Sequence, residues 1–372
     1  MSNGFDEKTA EINKNQIKCK DCGGVLNFSP GTSHLKCQYC GTDNEIVAEK
    51  ANAEEIDFEK FLAEKVHTSE EQQISTVKCN GCGASTTLAP NVTSDNCPFC
   101  ATPLIIANSS IKSIVKPKYM LPFKIDRKKA DGLFKDWVGG LWFAPNDLKA
   151  YVERSTDKLN GMYLPYWTYD TNTSSDYSGM RGDYYYVSES YTDSEGNSQT
   201  RQVRKTAWTP SSGYVHNSFD DILVCASKAL PDEMTRGLEP WDLPELVNYN
   251  DGFLSGFKTE SYQIEVKEGF DVAKRVMENP IKETIRGDIG GDEQQIITVN
   301  TKYNDVTFKH ILLPLWISAY RYGDKPYRFT INARTGEVHG ERPYSGWKIF
   351  FLVVTIIAGV AGGIYLWKSG QQ

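Results

Sequence analysis

The chain is poor in the residues and motifs on which most enzymes are built. Only five of its 372 residues are histidines, His34, His67, His216, His310 and His339, and they are scattered. No G-x-x-x-x-G-K-S/T phosphate loop, H-E-x-x-H or G-x-S-x-G occurs, so nucleotide-driven motors, zinc proteases and serine hydrolases find no support. Gly287, Gly290 and Gly291 lack the following Lys-Ser/Thr. Asp292-Glu293 in GDEQQ resembles an acidic helicase box only faintly and reads as a turn. Positive charge is also in short supply. The net charge is −7, which argues against a polyanion-binding face. The first sixteen residues, MSNGFDEKTAEINKNQ, hold no apolar run, so no signal peptide is expected.

What the chain does have is cysteine in order. Eight of nine cysteines fall in two clusters, CKDCGGVLNFSPGTSHLKCQYC at 19–40 and CNGCGASTTLAPNVTSDNCPFC at 79–100. Each is a C-x-x-C pair, fourteen residues, then a second C-x-x-C. Zinc wants four soft ligands in a tetrahedron, and two C-x-x-C turns supply them from opposite sides. Cys19, Cys22, Cys37 and Cys40 therefore form one candidate site, and Cys79, Cys82, Cys97 and Cys100 the other. Four thiolates leave no open position, so two structural zinc ions are expected. A redox dithiol needs no duplicated four-cysteine spacing, and an iron–sulfur or rubredoxin-type iron site is the smaller alternative. Gly23, Gly41 and Gly83 follow a second Cys, where the knuckle turns sharply, while Ala101 breaks the pattern. His34 lies inside the first cluster, whose four cysteines already fill a metal. Cys225 stands alone in an apolar strand and reads as a small buried hydrophobe.

Zinc ribbons often bind nucleic acid. Here Lys18, Lys20 and Lys36 are balanced by Asp21, Asp43 and Glu45, and Lys78 by Asp95. Modules with no net charge have little with which to neutralise phosphate. Phe28, Tyr39 and Phe99 are as well suited to a ribbon core as to base stacking.

The far end carries IFFLVVTIIAGVAGGIYL, residues 349–366, without a charge. At about 1.5 Å per residue, Trp347 to Trp367 spans roughly the 30 Å hydrocarbon core of a bilayer. The flanking tryptophans match an interfacial belt. Arg328, Arg334, Arg342 and Lys348 precede the span and only Lys368 follows. The positive-inside rule then keeps the bulk of the chain in the cytoplasm, as a tail-anchored protein of the cytoplasmic membrane. Gly359 and Gly363 permit close helix pairing, and hence a homodimer.

Between ribbons and span the texture is aromatic and β-branched. Residues 119–125 read as a strand, 126–141 as a helix capped by Asp126, and 161–170 as a strand. Strands are expected at Asp183–Ser190 and Arg201–Thr209, joined by TDSEGNSQ, and again at 221–227. Tyr184-Tyr185-Tyr186 reads as strand packing on alternating faces, or as an exposed strip. A helical stretch over 265–289 is interrupted by Pro280, and 310–343 closes as a β-meander. Helix then Leu164-Pro165-Tyr166-Trp167, and helix then Leu313-Pro314-Leu315-Trp316, suggest two related lobes. Two aromatic strands that look alike by chance are the alternative. Ile56, Phe61, Leu62 and Val66 form a narrow apolar stripe on what reads as a solvated connecting helix.

These segments together resemble a bacterial family. The resemblance rests on the two cysteine quartets, LPFKI, WFAPNDLK, YLPYWTYD, LEPWDLPELVNYNDGFLSGFKTESY and NARTGEVHGERP. It is the family of tail-anchored double zinc-ribbon proteins of YdjG-like type, often labelled primosomal helicase-like (primosomal protein N', replication factor Y) or TFIIB-type zinc ribbon. The resemblance implies membrane-stress systems with a flotillin-like (SPFH) protein and a phage-shock-type protein as partners. It brings no catalytic residue.

The expected fold is therefore multidomain: two small zinc ribbons, an α+β, β-rich domain of two related lobes, and one transmembrane helix. The expected boundaries are a flexible tail 1–16, ribbon one 17–48, a helical linker 49–76, ribbon two 77–107, the α+β domain 108–343 and the anchor 344–368. The expected role is a non-enzymatic adaptor or scaffold for protein partners, its paired ribbons a bivalent gripping surface. The alternative is a nucleic-acid protein of replication or transcription type.

Overall fold

The computed structural model describes residues 17–51, 54–63, 71–87, 94–105, 109–146, 148, 159–322 and 325–369. The expected tail 1–16 lies outside them. β1 (Leu26–Phe28), β2 (His34–Cys37) and β3 (Asp43–Glu45) form a small antiparallel sheet around the first cysteine cluster. β4 (Ile56–Asp57) and α1 (Phe58–Ala63) follow. The second cluster lies among β5 (Glu71–Lys78), β6 (Ser85–Thr86), β7 (Ser94–Asn96), β8 (Pro103–Ile105) and β9 (Ser109–Val115).

The large sheet is built on three long strands. In chain order come β10 (Tyr119–Met120), α2 (Arg127–Gly139), β11 (Asn160–Thr192) and β12 (Ser198–Cys225). α3 (Asp232–Arg236), β13 (Val247–Asn248), α4 (Asp251–Leu254) and β14 (Lys258–Thr259) cross to the second half. α5 (Val266–Ile289), β15 (Glu293–Tyr322), β16 (Lys325–Asn332) and β17 (Val338–Gly340) complete the sheet, and α6 (Gly346–Ser369) leaves it. β11 pairs antiparallel with β12 on one side and with β15 on the other.

The two halves repeat each other. Each is a short strand, a helix and a β-hairpin, and the register relates them by a local two-fold through the pair Leu164 and Leu313. β10 runs parallel to β15, Tyr119 beside Ile311 and Met120 beside Leu312; β14 runs parallel to β11, Lys258 beside Met162 and Thr259 beside Tyr163. Lys124 and Ile125 N–H both donate to Ala333 O, while Gln263 and Ile264 N–H both donate to Ala226 O. Ala333 N–H donates to Pro314 O, as Ala226 N–H does to Pro165 O. The Trp167 indole donates to Ile264 O at 2.8 Å and the Trp316 indole to Ile125 O at 2.9 Å. Each tryptophan thus pins the entry to the other half's helix. Phe123 packs edge-on against Trp316 at 5.3 Å, and Tyr262 lies tilted against Trp167 at 5.0 Å. The two related lobes expected from LPYW and LPLW are present, swapped into one continuous sheet.

Burial follows this plan. α2 packs Phe134 flat on Phe329, with ring centroids 3.5 Å apart. α5 lays Phe270, Ala273, Met277, Ile281, Ile285 and Ile289 along β11, β12 and β15. That stripe recurs every three to four residues and carries the helix through Pro280, which was expected to interrupt it. Apolar packing on the sheet outweighs one missing N–H. Asp126 caps α2 as expected, its carboxylate accepting from Lys129 N–H at 2.7 Å.

Beyond Gly182, β15 stops and β11 and β12 continue alone as a two-stranded arm, with Asp183 opposite Ala207 and Thr192 opposite Ser198. Asp193 closes its tip, accepting from Glu195 and Asn197 N–H. At about 3.3 Å per residue, the strand from Leu164 to Thr192 extends roughly 90 Å. α2 lies against β16 and β17 at the other end of the sheet, with Phe134 on Phe329 and Trp137 beside Gly340, and α6 starts beside the loop that follows α2, where Ser345 N–H donates to Phe143 O. The arm and α6 therefore lie at opposite ends of the sheet.

Three further expectations change. Among the described residues the connecting segment is not one solvated helix: α1 covers Phe58–Ala63, while 56–57 and 71–78 are strand. Phe58 is buried against Phe270, and Phe61 meets Phe308 at 5.0 Å. Apolar contact with the sheet, rather than helix propensity, shapes the segment. Val66 and His67 lie outside the described residues. β9, expected within the α+β domain, pairs with β5 and belongs to the second ribbon's sheet. Residues 119–125 are strand only at Tyr119–Met120, because Pro122 cannot continue a ladder.

Candidate metal centres

Four backbone knuckles build the two sites, and all close alike. Gly23 N–H donates to Cys19 O, Gly41 to Cys37, Gly83 to Cys79 and Ala101 to Cys97, at 2.8 to 3.0 Å. The donor residue sits in the left-handed region each time, with φ of 71°, 77°, 78° and 58°. Glycine adopts this freely, and Ala101 bears the strain of its Cβ. Each knuckle aims two sulfurs at one point. Cys19 and Cys40 Sγ lie 3.6 Å apart, Cys22 and Cys37 3.5 Å, Cys79 and Cys100 3.5 Å, and Cys82 and Cys97 3.6 Å. Within each quartet all sulfurs fall inside 4.8 Å of one another. A tetrahedron with Zn–S of about 2.3 Å has edges near 3.8 Å, whereas a disulfide needs about 2.05 Å. The donor sets fit one zinc each.

Around the sulfurs lie donors that orient them. Gly81 N–H points at Cys79 Sγ at 3.3 Å. The Thr42 hydroxyl lies 3.3 Å from Cys40 Sγ and that of Thr102 3.2 Å from Cys100 Sγ. The threonine recurs two residues after the last cysteine of both clusters, a signal legible in the sequence but passed over there. Thr42's hydroxyl and amide hold Cys40 down at about 6, and the neighbouring Cys97 thiol holds Cys82 down at about 5.

The sites differ in cover. Cys22 and Cys40 are exposed, while the second cluster has three buried sulfurs and a half-buried Cys82. Neither ribbon hangs free. Cys19 and Cys37 share a core with Phe123, Tyr163, Phe253 and Trp316; Cys79, Cys97 and Cys100 share one with Leu121, Leu164, Leu230 and Leu313. Backbone bonds reinforce the docking: Phe28 N–H to Ser255 O, Gly31 N–H to Phe123 O, Thr87 N–H to Thr259 O and Ser261 N–H to Ser85 O. The Arg328 guanidinium reaches Phe99 O at 2.8 Å. Phe28 and Phe99 are core residues, and Tyr39 is exposed.

Other sequence candidates resolve locally. Gly290 and Gly291, at φ 66° and 78°, turn the chain from α5 into β15, so of GDEQQ only Gly291-Asp292 is a turn, and Glu293-Gln294-Gln295, expected with it, already pair in β15. Cys225 is pushed up to about 12 by burial, which leaves its thiol protonated. Tyr184 lies under Arg204, 4.1 Å from its ring centre, and its hydroxyl donates to Glu293. Tyr185, Tyr186 and Tyr191 stand exposed on the arm.

One cluster was invisible in the sequence. Lys309, only 4% exposed, sits 2.8 Å from Asp221, 3.2 Å from Glu55 and 3.3 Å from Asp170. Asp170 lies in a β-bulge and is pushed up to about 7, first by burial and then by Glu55. Burial would lower Lys309, but Asp221, Asp170 and Glu55 outweigh it and raise it. The lysine occupies the position a cation would need.

Fold and sites define a class: two four-cysteine clusters stapled into a two-lobed β-rich domain, followed by one helix, Gly346–Ile364 in its most apolar part, long and apolar enough to cross a membrane. The chain is similar to YdjG of Bacillus subtilis (strain 168), described as an uncharacterized protein. The two are 26% identical over 361 residues, 94% of this chain and 95% of the relative. No family profile and no solved structure matches.

Proposed function

We propose that the chain is a membrane-anchored, zinc-stapled scaffold that holds protein partners on the cytoplasmic face. The observation that carries this reading is the arm, which reaches far from the sheet at the end opposite α6. It exposes Tyr185, Tyr186 and Tyr191 beside Arg201, Arg204 and Lys205. Tyrosine and arginine are the side chains protein interfaces favour. A nucleic-acid arm would need excess positive charge. Between 183 and 208, three cations face four carboxylates, Asp183, Glu189, Asp193 and Glu195. The docked ribbons support a structural role for zinc, in place of a free gripping pair. A scaffold of this kind needs no catalytic chemistry, and a non-enzymatic role is part of the proposal.

The resemblance adds the kind of partner, a flotillin-like (SPFH) or phage-shock-type membrane protein. Gly359 and Gly363 lie on one face of α6 and would let two copies pair in the bilayer. Affinity purification of the full chain from solubilised membranes tests the proposal. Wild type should bring down envelope proteins, and a variant with Tyr185→Ser and Tyr186→Ser should lose them while keeping two zincs. Equal recovery with both would refute the arm's role. Salt-sensitive nucleic-acid binding by the full chain would favour the alternative.

A further inference from the structure

The base of α6 is not a bare tether. Only five residues, 341–345, separate β17 from α6, and they are held. Glu341 N–H donates to Arg328 O and Ser345 N–H to Phe143 O at 2.7 Å. Lys348, on the first turn of α6, donates through Nζ to Ala144 O at 2.7 Å. The loop 141–146, which follows α2, is thereby fastened to the start of the apolar helix. Within it Trp142 is 83% exposed, the most exposed large hydrophobic side chain described. Tyr344 and Trp347, on the α6 side of this contact, are exposed as well, and Arg342 lies over the Tyr344 ring at 5.1 Å.

Tryptophan is costly to leave in water and suited to the headgroup zone, where its ring is half apolar and its N–H finds partners. A lone exposed tryptophan has many readings, but this one sits on a loop bonded to the first turn of a helix built to enter a bilayer. We infer that the Trp142 loop is a second membrane contact, seated in the lipid headgroup region beside α6. It acts with Tyr344 and Trp347 to fix the domain's angle to the membrane. The inference rests on the reading of α6 as a membrane span. Its consequence is that the arm is held at a set orientation rather than swinging on a flexible stalk.

The test uses the full, zinc-loaded chain with Cys225→Ala, reconstituted in phosphatidylethanolamine and phosphatidylglycerol vesicles. Single cysteines, Trp142→Cys, Tyr191→Cys or Ile356→Cys, carry an environment-sensitive fluorophore. Nitroxide lipids quench at the headgroup or deep in the acyl chains. The expected result is deep quenching at 356, headgroup quenching with a blue shift at 142, and neither at 191. If 356 is quenched while 142 behaves like 191, the loop contact is refuted and the membrane span stands. If 356 is not quenched, the span reading fails and this inference fails with it.

Discussion

Leu164 faces Leu313 on neighbouring antiparallel strands, and the fold repeats itself about that pair. The clearest sign is the exchange of indoles, Trp167 to the carbonyl of Ile264 and Trp316 to that of Ile125. Replacing either tryptophan by Phe keeps an aromatic ring but strands a carbonyl at a helix entry. Each variant should lose about 1–3 kcal/mol, the cost of a buried unsatisfied polar group. The two losses should be alike, because the surroundings are repeated. Denaturant titration in detergent micelles measures both, and a neutral Trp316→Phe would show that the bond does not hold the lobes together.

The two metal sites should release zinc at different rates. A chelator can reach the exposed sulfurs of Cys22 and Cys40 directly, but must open the packed core around Cys97 and Cys100. Zinc release should be biphasic, with one ion per chain in each phase. Cys22→Ser with Cys40→Ser should abolish the fast phase and leave the slow one. Because structural metal binding is also folding free energy, the slow phase should coincide with loss of tertiary structure. A single phase carrying both ions would overturn the assignment of a looser first site.

The cysteine spacing, the terminal apolar run and the LPYW–LPLW repeat were legible because each is local: a spacing, a length, a short motif. The ribbons' docking was not. It depends on Phe28 meeting Phe253 and on Ser85 pairing with Ser261, residues far apart in the chain. The arm was half legible. Its hairpin turn and both strands could be read, but that β15 stops at Gly182 and leaves the rest unaccompanied is a property of register. Lys309 was silent, since its three carboxylates come from three separate segments. Pro280 misled because the rule that proline ends a helix neglects what the other face buries.

Lys309 gives a sharper test of that hidden cluster. Lys309→Met fills the space but leaves Glu55, Asp170 and Asp221 facing one another without a cation. Removing one partner of a buried ion pair typically costs about 3–5 kcal/mol. The loss should shrink as pH falls from 8 to about 5, because Asp170, already pushed up to about 7 by burial and Glu55, takes up a proton there and relieves the repulsion. Thermal unfolding across that range checks both statements, and a penalty independent of pH would mean that packing, not charge, is what the lysine supplies.

His310 makes stability fall on the acid side. Its Nδ1–H donates to Val115 O at 2.7 Å, and its ring is buried between Trp167 and Tyr262. Burial depresses it to about 4, against an ordinary 6.5, so the folded protein keeps it neutral. The unfolded chain takes up its proton near pH 6.5 and the folded chain only near 4. The group's contribution is therefore complete above about pH 6.5 and is lost as pH falls from there towards 4, in total about 3 kcal/mol. His310→Gln cannot titrate and should flatten that part of the curve. Acid also protonates thiolates and releases zinc, so the difference between wild type and variant carries the answer, rather than either curve alone. Parallel curves between pH 6.5 and 4, at equal zinc content, would mean that His310 titrates alike in both states and contributes nothing to acid sensitivity.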